Sequence, residues 1–262
     1  MPQADVNGQQ LFYEDTGGGD DVIVFSHGLF MDHTMFDAQV HALPDRWRAV
    51  RWDARGHGRT QATPDPFTYW DSARDLLGLL DHLGVERATL AGMSQGGYLS
   101  LRAALTAPER VRALVFIDSQ PGPEDPEKAA GYHELIDAWV APGGPPQEIL
   151  DIVAQIILGP GWSGTAGWQE RWKQMPDDRV KQVFATLVGR EDDVAPRVAE
   201  LTMPALVVHG SEDGAIDVGI ARAFADALPD AELTVVEGAG HAANLTHPDA
   251  VNAALVPFLE RL

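Results

Sequence analysis

Short runs of β-branched and aromatic residues, each closed by turn-forming residues, recur along the chain: QLFYED (10–15), DVIVFSHG (21–28), RAVRWD (48–53), ATLAGMS (88–94), RALVFIDS (112–119), ALVVHG (205–210) and ELTVVEG (232–238). Such runs predict strands. From the second onward they read as strands buried in the protein. Between several of them the period changes to three and four, as in YWDSARDLLGLLDHLG, QGGYLSLRAALTAPE, IDVGIARAFADALP and the terminal PDAVNAALVPFLERL, which predicts amphipathic helices. Strands that alternate with helices imply a mostly parallel sheet covered on both faces, an α/β architecture.

One region breaks this alternation. From about Pro121 to Arg197 no strand pattern occurs, only Pro- and Gly-punctuated helical segments such as AAGYHELIDAWV, PQEILDIVAQIIL and GWQERWKQMPDDRVKQVFATLV. The expected organisation is a core formed by residues 1–120 and 198–262, with a helical insertion at 121–197 placed before the strand ALVVHG. The insertion holds Trp139, Trp162, Trp168 and Trp172, four of the chain's seven tryptophans. They serve either as packing anchors for the insertion or as walls of a substrate pocket.

Composition narrows the function. At 262 residues and 45% hydrophobic content the chain can bury one large core. A formal net charge of −20, with no Lys/Arg cluster to interrupt it, would repel a phosphate backbone, so nucleic acid is not an expected partner. The absence of cysteine excludes disulfides, thiolate metal sites and a cysteine nucleophile. The opening MPQADVNGQQ lacks a basic and an apolar signal region, and no long apolar run follows. A soluble, cytoplasmic protein with no membrane partner is expected.

The chemistry centres on LAGMSQGGYLS (90–100), where Ser94 stands between Gly92 and Gly96 at a strand-to-helix junction. A G-x-S-x-G match is weak by itself, but a strand before it and a helix after it form the setting of a nucleophile elbow. So sharp a turn strains the nucleophile's backbone and crowds strand against helix, which requires neighbours without a Cβ. A serine hydroxyl then needs a base to take its proton and a third group to fix the base's tautomer. Nine histidines compete for the role of base. His27 and His57 read as loop architecture, the former in an oxyanion-loop position. His33, His41, His82 and His133 fall in helical or surface contexts, His209 ends a strand, and His247 precedes a helix-starting proline. His241, in EGAGHAANLTHP, directly follows a strand and a pair of glycines late in the chain, and is the expected base. In the order Ser, Asp, His the acid lies between them. The loop SEDGAID offers Asp213 just past the end of its strand, while Asp217 reads as a helix N-cap. Asp118, after the preceding strand, is the alternative acid.

Together FSHGL, WDARGHGRT, GMSQGG, HGSED and GAGHAANLTHPDAVNAALVPFL, in this order and spacing, resemble serine hydrolases of the α/β-hydrolase fold over nearly the whole chain. The similarity is strongest to the small bacterial arylesterase, lactonase and cofactor-free perhydrolase branch. The resemblance implies a helical cap in place of the insertion, and oxyanion donors at the backbone N–H groups of Leu29 and Gln95, with Phe30 replacing Leu29 if the loop registers differently. It implies no metal and no organic cofactor. No phosphate-binding loop, two-histidine zinc pattern or dinucleotide fingerprint is present. Relatives that place aspartate at the elbow form alkyl-ester intermediates; Ser94 favours acyl transfer. Perhydrolases commonly carry proline where this chain has Phe30, which makes that chemistry a side reaction at most.

The expected substrate is an uncharged carboxylic ester or lactone, a small molecule cleaved through an acyl-enzyme. One alternative is a C–C bond hydrolase of ring-cleavage products, which would want cations such as Arg171, Lys173, Arg179 or Lys181 for the substrate's carboxylates. Another is a ligand receptor on the same scaffold, with little or no turnover.

Overall fold

The computed structural model describes residues 2–60, 65–190 and 192–262. Eight strands form one sheet: β1 (Gln3–Val6), β2 (Gln9–Asp15), β3 (Asp21–Ser26), β4 (Trp47–Trp52), β5 (Ala88–Met93), β6 (Val111–Ile117), β7 (Ala205–Gly210) and β8 (Ala231–Val236). Their order across the sheet is β1-β2-β4-β3-β5-β6-β7-β8, antiparallel at the β1-β2 and β2-β4 pairs and parallel from β4 to β8. The short polar run QADV that forms β1 carries too few apolar residues to announce a strand, yet it pairs residue for residue with β2 and buries Ala4 and Val6.

The helices are α1 (Asp37–Ala42), α2 (Tyr69–His82), α3 (Gln95–Thr106), α4 (Pro126–Trp139), α5 (Gln147–Leu158), α6 (Thr165–Lys173), α7 (Asp177–Val188), α8 (Val218–Ala227), α9 (Ala243–Thr246) and α10 (Pro248–Glu260). None is long and apolar enough to cross a membrane. The central strands are apolar without a break because their alternate residues feed two cores. Ile23, Phe25, Ala91, Met93, Val115, Ile117, Leu206 and Val208 face one core, while Val22, Val24, Leu90, Leu114, Phe116, Ala205 and Val207 face the other. The first core is closed by α10 and by helices of the α4–α7 stretch, the second by α2, α3 and α8.

Four helices, α4 to α7, lie between β6 and β7. The long helical pattern across residues 167–188 is split in two, because Pro176 cannot continue α6 and instead stands at the start of α7. After β3 the chain passes to β4 on one side and then to β5 on the other, which makes the carboxyl ends of β3 and β5 a topological switch point. In parallel sheets the loops diverge there and leave a crevice.

Candidate active site

Ser94 is the single residue between β5 and α3, held at φ +50° and ψ −115°. That left-handed backbone persists because the surroundings overdetermine it. The Ser94 N–H donates to the Ile117 carbonyl at 2.9 Å, and the Ser94 carbonyl accepts from Ser119 Oγ at 2.9 Å and from Gly97 N at 2.8 Å. A Cβ on Gly92 would collide with the Gly96 backbone, and one on Gly96 with the Ser26 carbonyl, so both glycines are required by close approach of strand and helix.

Two loops bring their side chains to this point. Ser94 Oγ lies 3.0 Å from His241 Nε2, and His241 Nδ1 lies 2.8 Å from Asp213 Oδ2. An ionised carboxylate only accepts, so Nδ1 carries the proton and Nε2 is free to accept from the serine hydroxyl. Asp213 is further fixed by the N–H groups of Ala215 and Ile216, which donate to Oδ1 at 2.8 and 2.9 Å. Burial works to raise the Asp213 carboxyl, but the facing His241 charge and hydrogen bonds hold it below its ordinary value. For His241 burial works to lower the imidazole, and the Asp213 charge and hydrogen bond overcome it, so its pKa stands above the ordinary histidine value.

Asp118, weighed above as an alternative acid, has a different use. Its carboxyl accepts from Gly210 N at 2.8 Å and from Ala243 N at 2.9 Å, so one side chain ties the end of β7, three residues before Asp213, to the loop that carries His241. Burial, and then the neighbouring Asp213 charge, push Asp118 well above its ordinary value. Asp217 caps α8 by accepting from Gly219 N at 2.7 Å, as its position implied.

On the opposite wall, His27 accepts from Ala54 N at 2.9 Å through Nε2 and donates through Nδ1 to the Gly28 carbonyl at 2.8 Å, clamping the loop that leads to Leu29. Phe30, at φ +60°, completes that turn. The Gln95 side chain is also locked: its amide donates to His57 Nε2 at 3.2 Å and its oxygen accepts from the Tyr69 hydroxyl at 3.3 Å. Burial lowers the His57 pKa to about 3, so this ring is neutral and able to accept. As a first-turn residue of α3, Gln95 has an N–H with no intrahelical acceptor. The locks on Gln95 and the Asp118 tie had no signal in the sequence, because each depends on which loops the fold brings together.

Ser94 and His241 line a shared cavity. Its lining is mostly aliphatic, and the largest share comes from α4, α5 and α7, including Leu135, Ile136, Val153, Ile156, Ile157 and Leu187. None of the four tryptophans is among the lining residues. Trp139 instead packs on Phe30 with ring centroids 5.0 Å apart, and Trp172 donates its indole N–H to the Phe30 carbonyl at 2.9 Å. They are packing anchors, and the apolar character of the cavity comes from Leu, Ile, Val, Met and Phe side chains. Nor do Arg171, Lys173, Arg179 or Lys181 line it. Arg171 pairs with Asp32, Lys173 with Glu170, and Arg179 donates to the Gly58 carbonyl.

Among the described residues two groups, Asp118–His209–Asp213 and Asp32–His33–Asp53, are compact enough to share a cation. Their oxygens are already engaged by donors: Asp118 and Asp213 as described, and Asp53 by the N–H groups of His33 and Arg59, each at 2.8 Å. Both are better matched to hydrogen-bond networks than to metal ligation.

The sequence profile of the alpha/beta hydrolase fold family matches residues 21–248, and the chain belongs to that family. It is 27% identical over 272 residues to a protein of Azorhizobium caulinodans named, provisionally, as the carbamate hydrolase RutD, covering 98% of each chain. Among solved structures it is similar to the enol-lactonase of Burkholderia xenovorans, at 26% identity, a TM-score of 0.89, and coverage of 99% of this chain and 100% of that one. It is also similar to a thermophilic esterase of Thermogutta terrifontis, at 25% identity, a TM-score of 0.88, and coverage of 99% and 98%.

Proposed function

We propose that this chain is a cofactor-independent serine hydrolase that cleaves an uncharged carboxylic ester or lactone, with Ser94 as nucleophile, His241 as general base and Asp213 as the acid that orients it. The observation that carries the reading is the unbroken relay from Ser94 to His241 to Asp213, at 3.0 and 2.8 Å, opening into an aliphatic cavity. Residues 121–197 act in this reading as a cap whose helices wall the acyl-binding cavity.

His241 Nε2 takes the Ser94 proton as Oγ attacks the carbonyl carbon. The charge that develops on the carbonyl oxygen is held by the N–H groups of Leu29 and Gln95, each contributing about 3 to 4 kcal/mol to lowering the barrier. Protonated His241 then gives its proton to the leaving alkoxide, or to the ring oxygen of a lactone, and the acyl group stays on Ser94. A water deprotonated by the same imidazole attacks the acyl-enzyme and regenerates the serine. The relatives named for esterase, enol-lactonase and carbamate chemistry all act on a carbonyl bearing a heteroatom leaving group, which is compatible with this sequence of steps. A ring-cleavage hydrolase is less well supported, since the cations weighed for its carboxylates do not line the cavity.

Purified protein should turn over p-nitrophenyl esters or simple lactones, and carbamates in the same panel define the leaving-group range. Ser94→Ala should retain its fold by circular dichroism and lose turnover to the background of the preparation. A fluorophosphonate should label Ser94 in the wild type. Labelling elsewhere, or an active Ser94→Ala protein, would overturn the assignment.

A further inference from the structure

Among the described residues the cavity lining holds one acidic side chain, Glu124, in the loop between β6 and α4. Its side chain is 8% exposed, although the rest of the lining is largely hydrocarbon. A carboxylate offers about four lone-pair positions. Among the described residues the hydrogen bond recorded to Glu124 is one long contact, 3.3 Å from the N–H of its neighbour Asp125 to Oε1. The other oxygen, Oε2, lies 3.9 Å from Arg190 Nη2, close enough to balance charge and too far for a hydrogen bond.

Arg190 makes the point sharper. Its side chain is 1% exposed, stacks over the Tyr98 ring at 3.8 Å and donates through Nε to the Gly122 carbonyl, yet among the described residues Nη1 and Nη2 find no hydrogen-bond acceptor. The guanidinium lies behind Tyr98, outside the cavity lining, whereas Glu124 is on the lining itself beside Tyr98 and Tyr132. The pair is therefore neutral in sum, and the carboxylate on the cavity lining keeps lone pairs free to accept from a group in the cavity. Arg190 already balances the carboxylate's charge and would oppose a second cation, whereas it does not oppose a neutral N–H or O–H arriving from the cavity.

We propose that Glu124 is the specificity-determining residue of a polar subsite in the acyl cavity, which accepts a hydrogen bond from an uncharged donor, a hydroxyl or an amide N–H, on the substrate. The proposal rests on the cavity being the acyl site of a hydrolase and narrows the substrate class to hydroxylated or amide-bearing esters and lactones. Sites built to bond a substrate hydroxyl reject the analogue that lacks it far more strongly than an apolar pocket discriminates by a methylene.

The test compares p-nitrophenyl hexanoate with its 3-hydroxy, 6-hydroxy and 6-ammonio analogues. Wild-type kcat/KM should favour at least one hydroxylated ester over hexanoate by on the order of tenfold or more, and the ammonio ester should gain less. In Glu124→Leu and in the conservative Glu124→Gln the hydroxyl preference should collapse toward unity in the first and fall in the second. The readout is the ratio within each variant, so a change in absolute rate does not obscure it. Binding of the same four esters to Ser94→Ala protein by calorimetry separates this proposal from the hydrolase reading. If the wild type turns over no ester but Ser94→Ala still binds the hydroxylated chain more tightly through Glu124, the subsite stands and the hydrolase reading fails. If hexanoate is hydrolysed and neither hydroxyl is preferred, or the preference survives in Glu124→Leu, the carboxylate is satisfied by water alone and the proposal is overturned. An ammonio ester preferred over both hydroxylated ones would also overturn it, in favour of recognition by charge.

Discussion

Among single residues, Asp213 gives the clearest expectation. Asp213→Asn would present an amide to His241 Nδ1 and favour the wrong imidazole tautomer, so turnover should slow on the order of 10⁴-fold with little change in melting temperature. The same change should alter the pH profile. In the proposed mechanism His241 must be neutral to accept the Ser94 proton, and its pKa is raised above the ordinary value, so wild-type kcat/KM should fall as pH drops through a point higher than about 6.5. Removing the Asp213 charge takes away the main lifting influence, and the residual activity of Asp213→Asn should have its acid limb at lower pH. An acid limb that stays in place would show that another group sets it. The grouping of Ser94, Asp213 and His241, which the structure brings within hydrogen-bond reach, was legible in the sequence because Ser94 follows β5 at once and Asp213 and His241 lie in the loops just past β7 and β8, whose apolar runs and terminating turns are local signals. Glu124 and Arg190 were not legible, since a carboxylate in a loop and an arginine after a helix look solvated until packing encloses them. Asp118 was noticed for its position, but its use, accepting from Gly210 and Ala243, depends on two loops far apart in the chain.

Among elements, the β5–α3 junction and the docking of the inserted helices were legible to different degrees. The glycines at 92 and 96 announced a close approach, and the contact distances agree: an added Cβ at Gly96 meets backbone of β3 that has no freedom to withdraw. Gly96→Ala should therefore cost at the upper end of the roughly 1–3 kcal/mol typical of overpacking, or more. Urea unfolding measures it, and a loss below about 0.5 kcal/mol, within the range of ordinary surface substitutions, would mean the junction can relax. The tryptophans of the inserted helices were ambiguous because an indole suits a pocket wall and a buried anchor equally well. With Trp172 fully buried and bonded to the Phe30 carbonyl, Trp172→Ala should cost roughly 3 to 5 kcal/mol of stability. Preference between short and long acyl chains should be kept, because the side chain does not line the cavity. A shifted chain-length profile with an unchanged melting curve would reverse that assignment.

Across the whole molecule, the buried imidazoles divide into two groups, and the division predicts how stability varies with pH. His27, His57 and His209 have lowered pKa values, each mainly through burial, with His57 at about 3. His33 and His241 are raised, because the charges and hydrogen bonds of Asp53 and Asp213 outweigh burial. A lowered histidine binds fewer protons folded than unfolded, so its contribution is complete above the unfolded value of about 6.5 and is lost as pH falls from there toward the folded value. A raised histidine does the reverse: its contribution is complete below about 6.5 and is lost as pH rises through the folded value. The two groups thus act on opposite sides of the same point, and melting temperature should peak near pH 6.5, falling toward pH 4 on one side and toward pH 8 on the other. Asp118, raised well above its ordinary value, works against the acid loss, adding stability as pH falls through its folded value. The sharper measurement is therefore the slope between pH 6.5 and 5 in the wild type and in His57→Asn, where an amide can still accept from Gln95. The slope should be shallower in the variant because one buried neutral imidazole no longer resists protonation. A wild-type melting temperature that is level or rising from pH 6.5 to 5, or an acid slope unchanged by His57→Asn, would mean that these rings take up protons in the folded state without cost.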